Sequence, residues 1–278
     1  MNEFATRTDF LTAEIAWHRL VSIAEEAEAV IAHMSFSPVV GEARDYAAAV
    51  ASLDTLLAKY PHKIKTNAEA WDAVKLYRKI LAAQPDHSVI IVTVGFLTNL
   101  SNLLNTKGDA YSSLSGTELV KRKVKRLVCM GGKFPSGYEF NVMKDAKASQ
   151  NVYTNWPTPV IFSGFEIGEK IKAGLPLIHN NTIKNDPVKD VFRIAIPMAK
   201  EDSAGRKSWD ETAVLVGIKG YDKWYTLHKG RIIVADDGKD TWDDRGTGQA
   251  YLVEKADYKE VQELINQLIM HQPVGGER

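Results

Sequence analysis

The chain contains a single cysteine, Cys129, so an intrachain disulfide is excluded. Its neighbours Leu127, Val128 and Met130 are apolar, which reads as a buried strand position and a core role for the thiol. Net charge is lacking too. Thirty-five Lys plus Arg balance 35 Asp plus Glu, leaving no long-range field to gather polyanions, and nucleic acid is not an expected partner. Long apolar runs are missing: Val89–Val94 is too short to span a bilayer. Met1–Phe10 is polar and charged without the apolar core of a secretion signal, so no membrane association and a cytoplasmic location are expected. The histidines lack partners at metal-ligand spacing, and there is no internal repeat.

What is present is 278 residues at 45% hydrophobic composition, enough for one large α/β domain or two small ones. Thr12–Met34 reads as an amphipathic helix, with Leu20, Ala24, Ala27, Ile31 and Met34 at three- and four-residue steps. Ala43–Tyr60 and Ala68–Ala83 read as two more helices. Strands then begin. Val89–Val94, Arg126–Met130 and Pro159–Phe162 are the continuous apolar runs of strands buried on both faces, and the helical Ala146–Trp156 lies between the last two. Arg231–Val234 and Ala250–Val253, joined by the turn-rich Asp236–Gly248, suggest an appended antiparallel hairpin, and Tyr258–His271 a closing helix. The basic run Lys121–Arg126 reads as a solvated helix end.

Three segments follow buried runs or open helices. Gly131-Gly132 leads through Phe134 to Glu139-Phe140-Asn141, placing a carboxylate and an amide at the strand-end edge where open α/β sheets bind ligands; Glu139 is equally suited to cap the next helix. Thr98 and Asn99 follow Gly95-Phe96-Leu97 at the same edge and are suited to capping. Asp210, after Ser208-Trp209, opens an apolar helix, where it either caps or coordinates a cation.

Taken together, Leu97-Thr98-Asn99, Met130-Gly131-Gly132, Glu139-Phe140-Asn141, Asp210 and the phrase Pro157–Gly168 resemble the inosine-uridine preferring nucleoside hydrolase family over residues 53–271. The resemblance implies a doubly wound, mostly parallel α/β sheet with an antiparallel C-terminal hairpin. It implies an N-ribosyl hydrolase acting on small ribonucleosides, and makes a homo-oligomer plausible. It also implies a calcium ion held in part by the Thr98 carbonyl and the Asp210 carboxylate, with Glu139 and Asn141 on the ribose hydroxyls and Phe140 beside the sugar. Trp209 stands where many members have a histidine that assists the leaving base; it can stack on a base but cannot supply a proton.

The family's first strand and its Asp-x-Asp-x-x-x-Asp-Asp cluster, which supplies the general base and most of the metal's charge, have no counterpart in the chain. The one dense acidic run, Asp236–Asp244, reads as a hairpin loop. Residues 1–52, through Glu14–Leu20, Ser35–Pro38 and Glu42–Tyr46, resemble instead the N-terminus of the hydantoinase B and oxoprolinase family, which implies a junction between a helical segment 1–52 and a truncated hydrolase-like domain 53–278. Loss of the first strand is expected to leave two neighbouring strands unpaired. Three readings follow: an impaired nucleoside hydrolase, an inactive nucleoside- or ribose-binding remnant, or a subunit-interaction module.

Overall fold

The computed structural model describes residues 43–64, 66 and 69–272. The chain divides into two compact units, residues 1–72 and 73–278. In the first, helix α1 spans Ala43–Lys59, as its periodicity predicts. The Thr12–Met34 helix and the segments resembling hydantoinase B before Ala43 lie outside the described residues.

The second unit opens with α2 (Ala73–Ala83), five residues later than the pattern predicts. Four strands lie parallel: β1 (Val89–Thr93), β2 (Val124–Met130), β4 (Val160–Ser163) and β9 (Gln249–Glu254). Three more are antiparallel: β7 (Tyr225–Val234), β8 (Lys239–Asp243) and the short β3 (Ser136–Tyr138). The seven-stranded order is β1-β2-β4-β9-β7-β8-β3; β5 (Lys172–Ala173) and β6 (Arg206–Lys207) pair in a separate small sheet, and helices α7 (Phe165–Gly168), α8 (Leu175–His179) and α9 (Pro187–Met198) lie between β4 and β7 in the chain. The predicted hairpin is thus part of the central sheet, because β9 pairs with both β4 and β7. Within the acidic run, residues 236–238 are a turn joining β7 to β8, and Lys239–Asp243 is strand. Lys239–Asp243 alternates outward Lys239 and Thr241 with inward Asp240 and Trp242, a strand pattern hidden among turn-forming residues.

Side-chain alternation sorts the sheet's two faces. Leu127 and Cys129 of β2 join one core with Leu81, Leu100, Leu103, Leu119 and Val152, carried by α2, α3 (Thr98–Leu104), α4 (Gly116–Lys123) and α6 (Ala146–Asn155). Val128 and Met130 point the other way, into a core with Ala213, Leu215 and Val216 of α10 (Trp209–Lys219) and Val261 and Ile265 of α11 (Tyr258–Ile269). Burial on both faces explains why these strands read as unbroken apolar runs. The helices start where the sequence offers caps: Ser115 and Glu118 form a capping box on α4, and Asp145 and Asp257 cap α6 and α11.

Two neighbours of a missing strand are not left open. β2 pairs with β1 on one side and β4 on the other, so among the described residues the sheet is open only at its two ends, along the outer edges of β1 and the short β3. Lys121, Arg122 and Lys123 fill the last turn of α4 as read from sequence, whereas Lys125 and Arg126 belong to β2.

One buried cation organises the connection between α3 and α4. Arg78 of α2, 2% exposed, donates through Nε and Nη2 to both oxygens of Asp109 at 2.7 and 3.1 Å. It also donates to the Thr106 hydroxyl and to the Ser112 and Leu114 carbonyls at 2.8–3.0 Å. Five bonds hold the guanidinium, three of them at Nη2.

Candidate active site

The parallel strands end together at Val94–Thr98, Gly131–Gly132 and Gly164, and the motif residues converge there. Gly132 turns the chain at φ +81°, a left-handed conformation that a side chain disfavours. The following loop is gripped by three carboxylates through its own backbone. The Gly132 N–H donates to Glu139 at 3.4 Å, the Lys133 N–H to both oxygens of Asp240 at 3.2 and 3.1 Å, and the Phe134 N–H to Glu166 at 3.2 Å.

Glu139 proves to be a cap as well as a loop anchor. It lies at the N-terminus of the short helix α5 (Phe140–Lys144), 3% exposed, and accepts from the Asn141 and Val142 N–H groups at 3.0 and 3.1 Å. Burial raises its pKa against the lowering effect of these donors. Asn141 donates its amide to the Met130 carbonyl at 3.3 Å and to the Met130 sulfur at 3.2 Å, while its Oδ1 has no partner among the described residues. Phe140 is 46% exposed and sits 5.8 Å from Phe96, so the two rings offer an apolar wall beside the amide.

Thr98 opens α3 and donates its hydroxyl to Asp145, the residue that caps α6. Asn99, beside it, is exposed. On the other side of the strand ends, Trp209 donates its indole N–H to the Phe165 carbonyl at 2.9 Å, with the two rings 5.4 Å apart. A side chain at Gly168 would place its Cβ 2.3 Å from the Trp209 Cα. Gly168→Ala is therefore expected to push α10 away from its seat and cost about 1–3 kcal/mol, read from the melting transition together with a shift in tryptophan emission.

Asp210 follows in the first turn of α10. Solvent reaches it, yet surrounding protein raises its pKa to about 7, with the negative charges of Glu211 and Glu139 adding to the effect and Arg206 opposing it. Asp240, wholly buried, is likewise raised to about 7 by desolvation and by Glu139 and Glu166. The acids at the strand ends are thus held apart by backbone donors and repel one another.

A calcium ion takes six to eight oxygen ligands. Among the described residues no three carboxylate, imidazole or thiolate groups lie close enough to hold a metal. Glu139 and Asp240 spend their oxygens on backbone N–H groups. The described residues do not fit a calcium ion.

Sequence reasoning marked Thr98, Glu139, Phe140, Asn141, Trp209 and Asp210, and all lie on segments at the strand ends or in the helix packed beside them. It missed Asp145, Glu166, Asp240 and Phe96. An aspartate just before a helical run is a cap signal, which identifies Asp145 as a cap but not its bond to Thr98. Asp240 carried no signal, because its burial depends on pairing with a strand over a hundred residues earlier.

Comparison with known proteins agrees with this architecture. The family model for inosine-uridine preferring nucleoside hydrolase matches residues 13–263, beginning well before the stretch on which the motifs were recognised. A plant nucleoside hydrolase superposes with a TM-score of 0.60 at 16% identity, covering 79% of this chain and 73% of that one. The purine-preferring ribonucleoside hydrolase from Gardnerella vaginalis gives 0.60 at 17%, covering 76% and 68%. The type III effector protein XopQ, solved in complex with adenosine diphosphate ribose, gives 0.58 at 15%, covering 85% and 73%. No curated protein matches the chain. With the family model spanning most of its length and the strand ends built as described, the chain belongs to the inosine-uridine preferring nucleoside hydrolase family.

Proposed function

We propose that this chain binds a small ribonucleoside or ribose at the strand ends and that its hydrolysis of the N-glycosidic bond is impaired. The observation that carries the reading is the coexistence of a sugar-sized set of contacts with an acid set unfit for calcium. Asn141 offers a free amide oxygen to a sugar hydroxyl, and Phe140 with Phe96 forms the apolar wall. Glu139 holds the helix that presents both, acting through position more than through contact. Trp209, fixed by Phe165, offers a ring on which a base can stack. The family acts on ribonucleosides and is generally metal-dependent. When bound in such a site, calcium would polarise a water and the sugar diol. No acid run of the family's form stands in this sequence to hold it.

The test is release of nitrophenol from p-nitrophenyl riboside, in calcium and in excess EDTA, beside binding of inosine measured by calorimetry. Turnover is expected to lie at least about 10³-fold below an active family member assayed alongside, without calcium dependence, while inosine binds and Asn141→Ala weakens that binding about tenfold. Calcium-dependent turnover abolished by Asp210→Ala would overturn the proposal, and so would the absence of any inosine binding.

A further inference from the structure

A second cavity, of about 480 Å³, opens at the other end of the strands. It lies on the α10 face of the sheet, below the point where α10 ends at Lys219 and the following turn brings in Tyr221. Ile161 of β4, Leu227 of β7 and Ala250 of β9 make its floor, continuing the face that carries Leu252 and Val128. From here to Gly131 along β2 is roughly 20 Å, at about 3.3 Å per residue, so this cavity is separate from the strand-end cleft.

Its rim is cationic. Lys125 and Arg126 enter from the start of β2, Lys229 from β7, and Thr247 from the loop before β9. No aspartate or glutamate lines the cavity. In a chain whose charges balance overall, three cations around one apolar hollow are a local excess. None of the three makes an ion pair or hydrogen bond with another described residue, although neighbouring cations do: Lys123 reaches Asp86 at 2.8 Å and Arg122 the same carboxylate at 2.9 Å. The Thr247 hydroxyl is also without a partner among the described residues.

From an apolar floor of small-molecule size and an unneutralised cationic rim, we infer that this cavity binds a small amphiphilic organic anion, an apolar body seated on Ile161 and Leu227 with its anionic group at Arg126 and Lys229. The volume falls in the range of small-molecule sites. A bare inorganic anion would leave the floor wet, and a neutral apolar ligand would leave the cations unanswered; the cavity suits a molecule that has both parts.

The probe is 8-anilinonaphthalene-1-sulfonate, titrated into the full chain by fluorescence, beside its uncharged relative N-phenyl-1-naphthylamine. The expected result is one saturable site for the sulfonate, with the neutral relative at least about tenfold weaker. The double substitution Arg126→Gln with Lys229→Gln is expected to weaken the sulfonate about tenfold or more, and Thr247→Trp, which fills the mouth, to remove the site. All these side chains lie at the surface or the rim, and unchanged melting curves will show that the variants fold. Equal binding by the substituted and original chains, equal binding of the neutral relative, or displacement by inorganic phosphate at matched ionic strength and equal affinity would each overturn the inference.

Discussion

Arg78→Met is expected to destabilise the second unit by about 3–5 kcal/mol, measured by urea unfolding at neutral pH. Methionine fills much of the same volume but makes none of the five bonds; it leaves the Asp109 carboxylate without its cation and the Leu114 carbonyl without its donor, while Thr106 and Ser112 keep their bonds to the Leu103 carbonyl and the Asp109 N–H. The same arrangement has a pH signature. Arg78 holds the Asp109 carboxyl down to about 2, helped by the Ser112 and Tyr111 N–H groups. A carboxylate whose folded value is depressed contributes stability that is complete above its unfolded value near 4 and is lost as pH falls toward 2. In Arg78→Met most of that acid-side loss should disappear, because the partner that favoured the ionised form is gone.

Asp240→Asn is expected to act in the opposite sense, stabilising the protein by about 2–4 kcal/mol at pH 8 and leaving it unchanged at pH 4. Asp240 is wholly buried, and desolvation, reinforced by Glu139 and Glu166, raises its pKa to about 7 against the lowering effect of the Lys133 N–H. Between about 4 and 7 the folded protein keeps a proton that the unfolded chain has released, so stability falls as pH rises through that window. An asparagine oxygen still accepts from the Lys133 N–H but carries no charge to bury. Melting curves of the two proteins at pH 4, 6 and 8 should coincide at the first and diverge steadily; parallel curves at every pH would show that Asp240 ionises without penalty.

How much of this was legible in sequence depends on whether the determining contacts are local. The parallel strands were read within two or three residues because burial on both faces forces an unbroken apolar run. The Leu97-Thr98-Asn99, Gly131-Gly132 and Glu139–Asn141 segments were placed at one edge because each follows such a strand. The strand in Lys239–Asp243 was missed because its inward positions are Asp240 and Trp242, one of them a charge, so no apolar alternation marks it. The balance between capping and ligand contact at Glu139 turns on its 3% exposure, which no spacing encodes. The expectation of two unpaired neighbours fails for a related reason: strand order is set by packing across the whole sheet, and β1 emerges at its edge.

That strand order also bears on how the molecule is made. β3 follows β2 directly in the chain but lies at the far end of the sheet, reached only through β8. The loop that frames the strand-end cleft is therefore fastened at one side by Gly131 and at the other by Asp240, 107 residues beyond Lys133. On the ribosome, β1, β2 and β4 can assemble while the remainder is still being synthesised, yet the rim of the cleft has nothing to pair with until β8 has emerged. β9, which joins β7 and β8 to β4, emerges later still, so a nascent chain presents its parallel scaffold well before its strand-end cleft is framed.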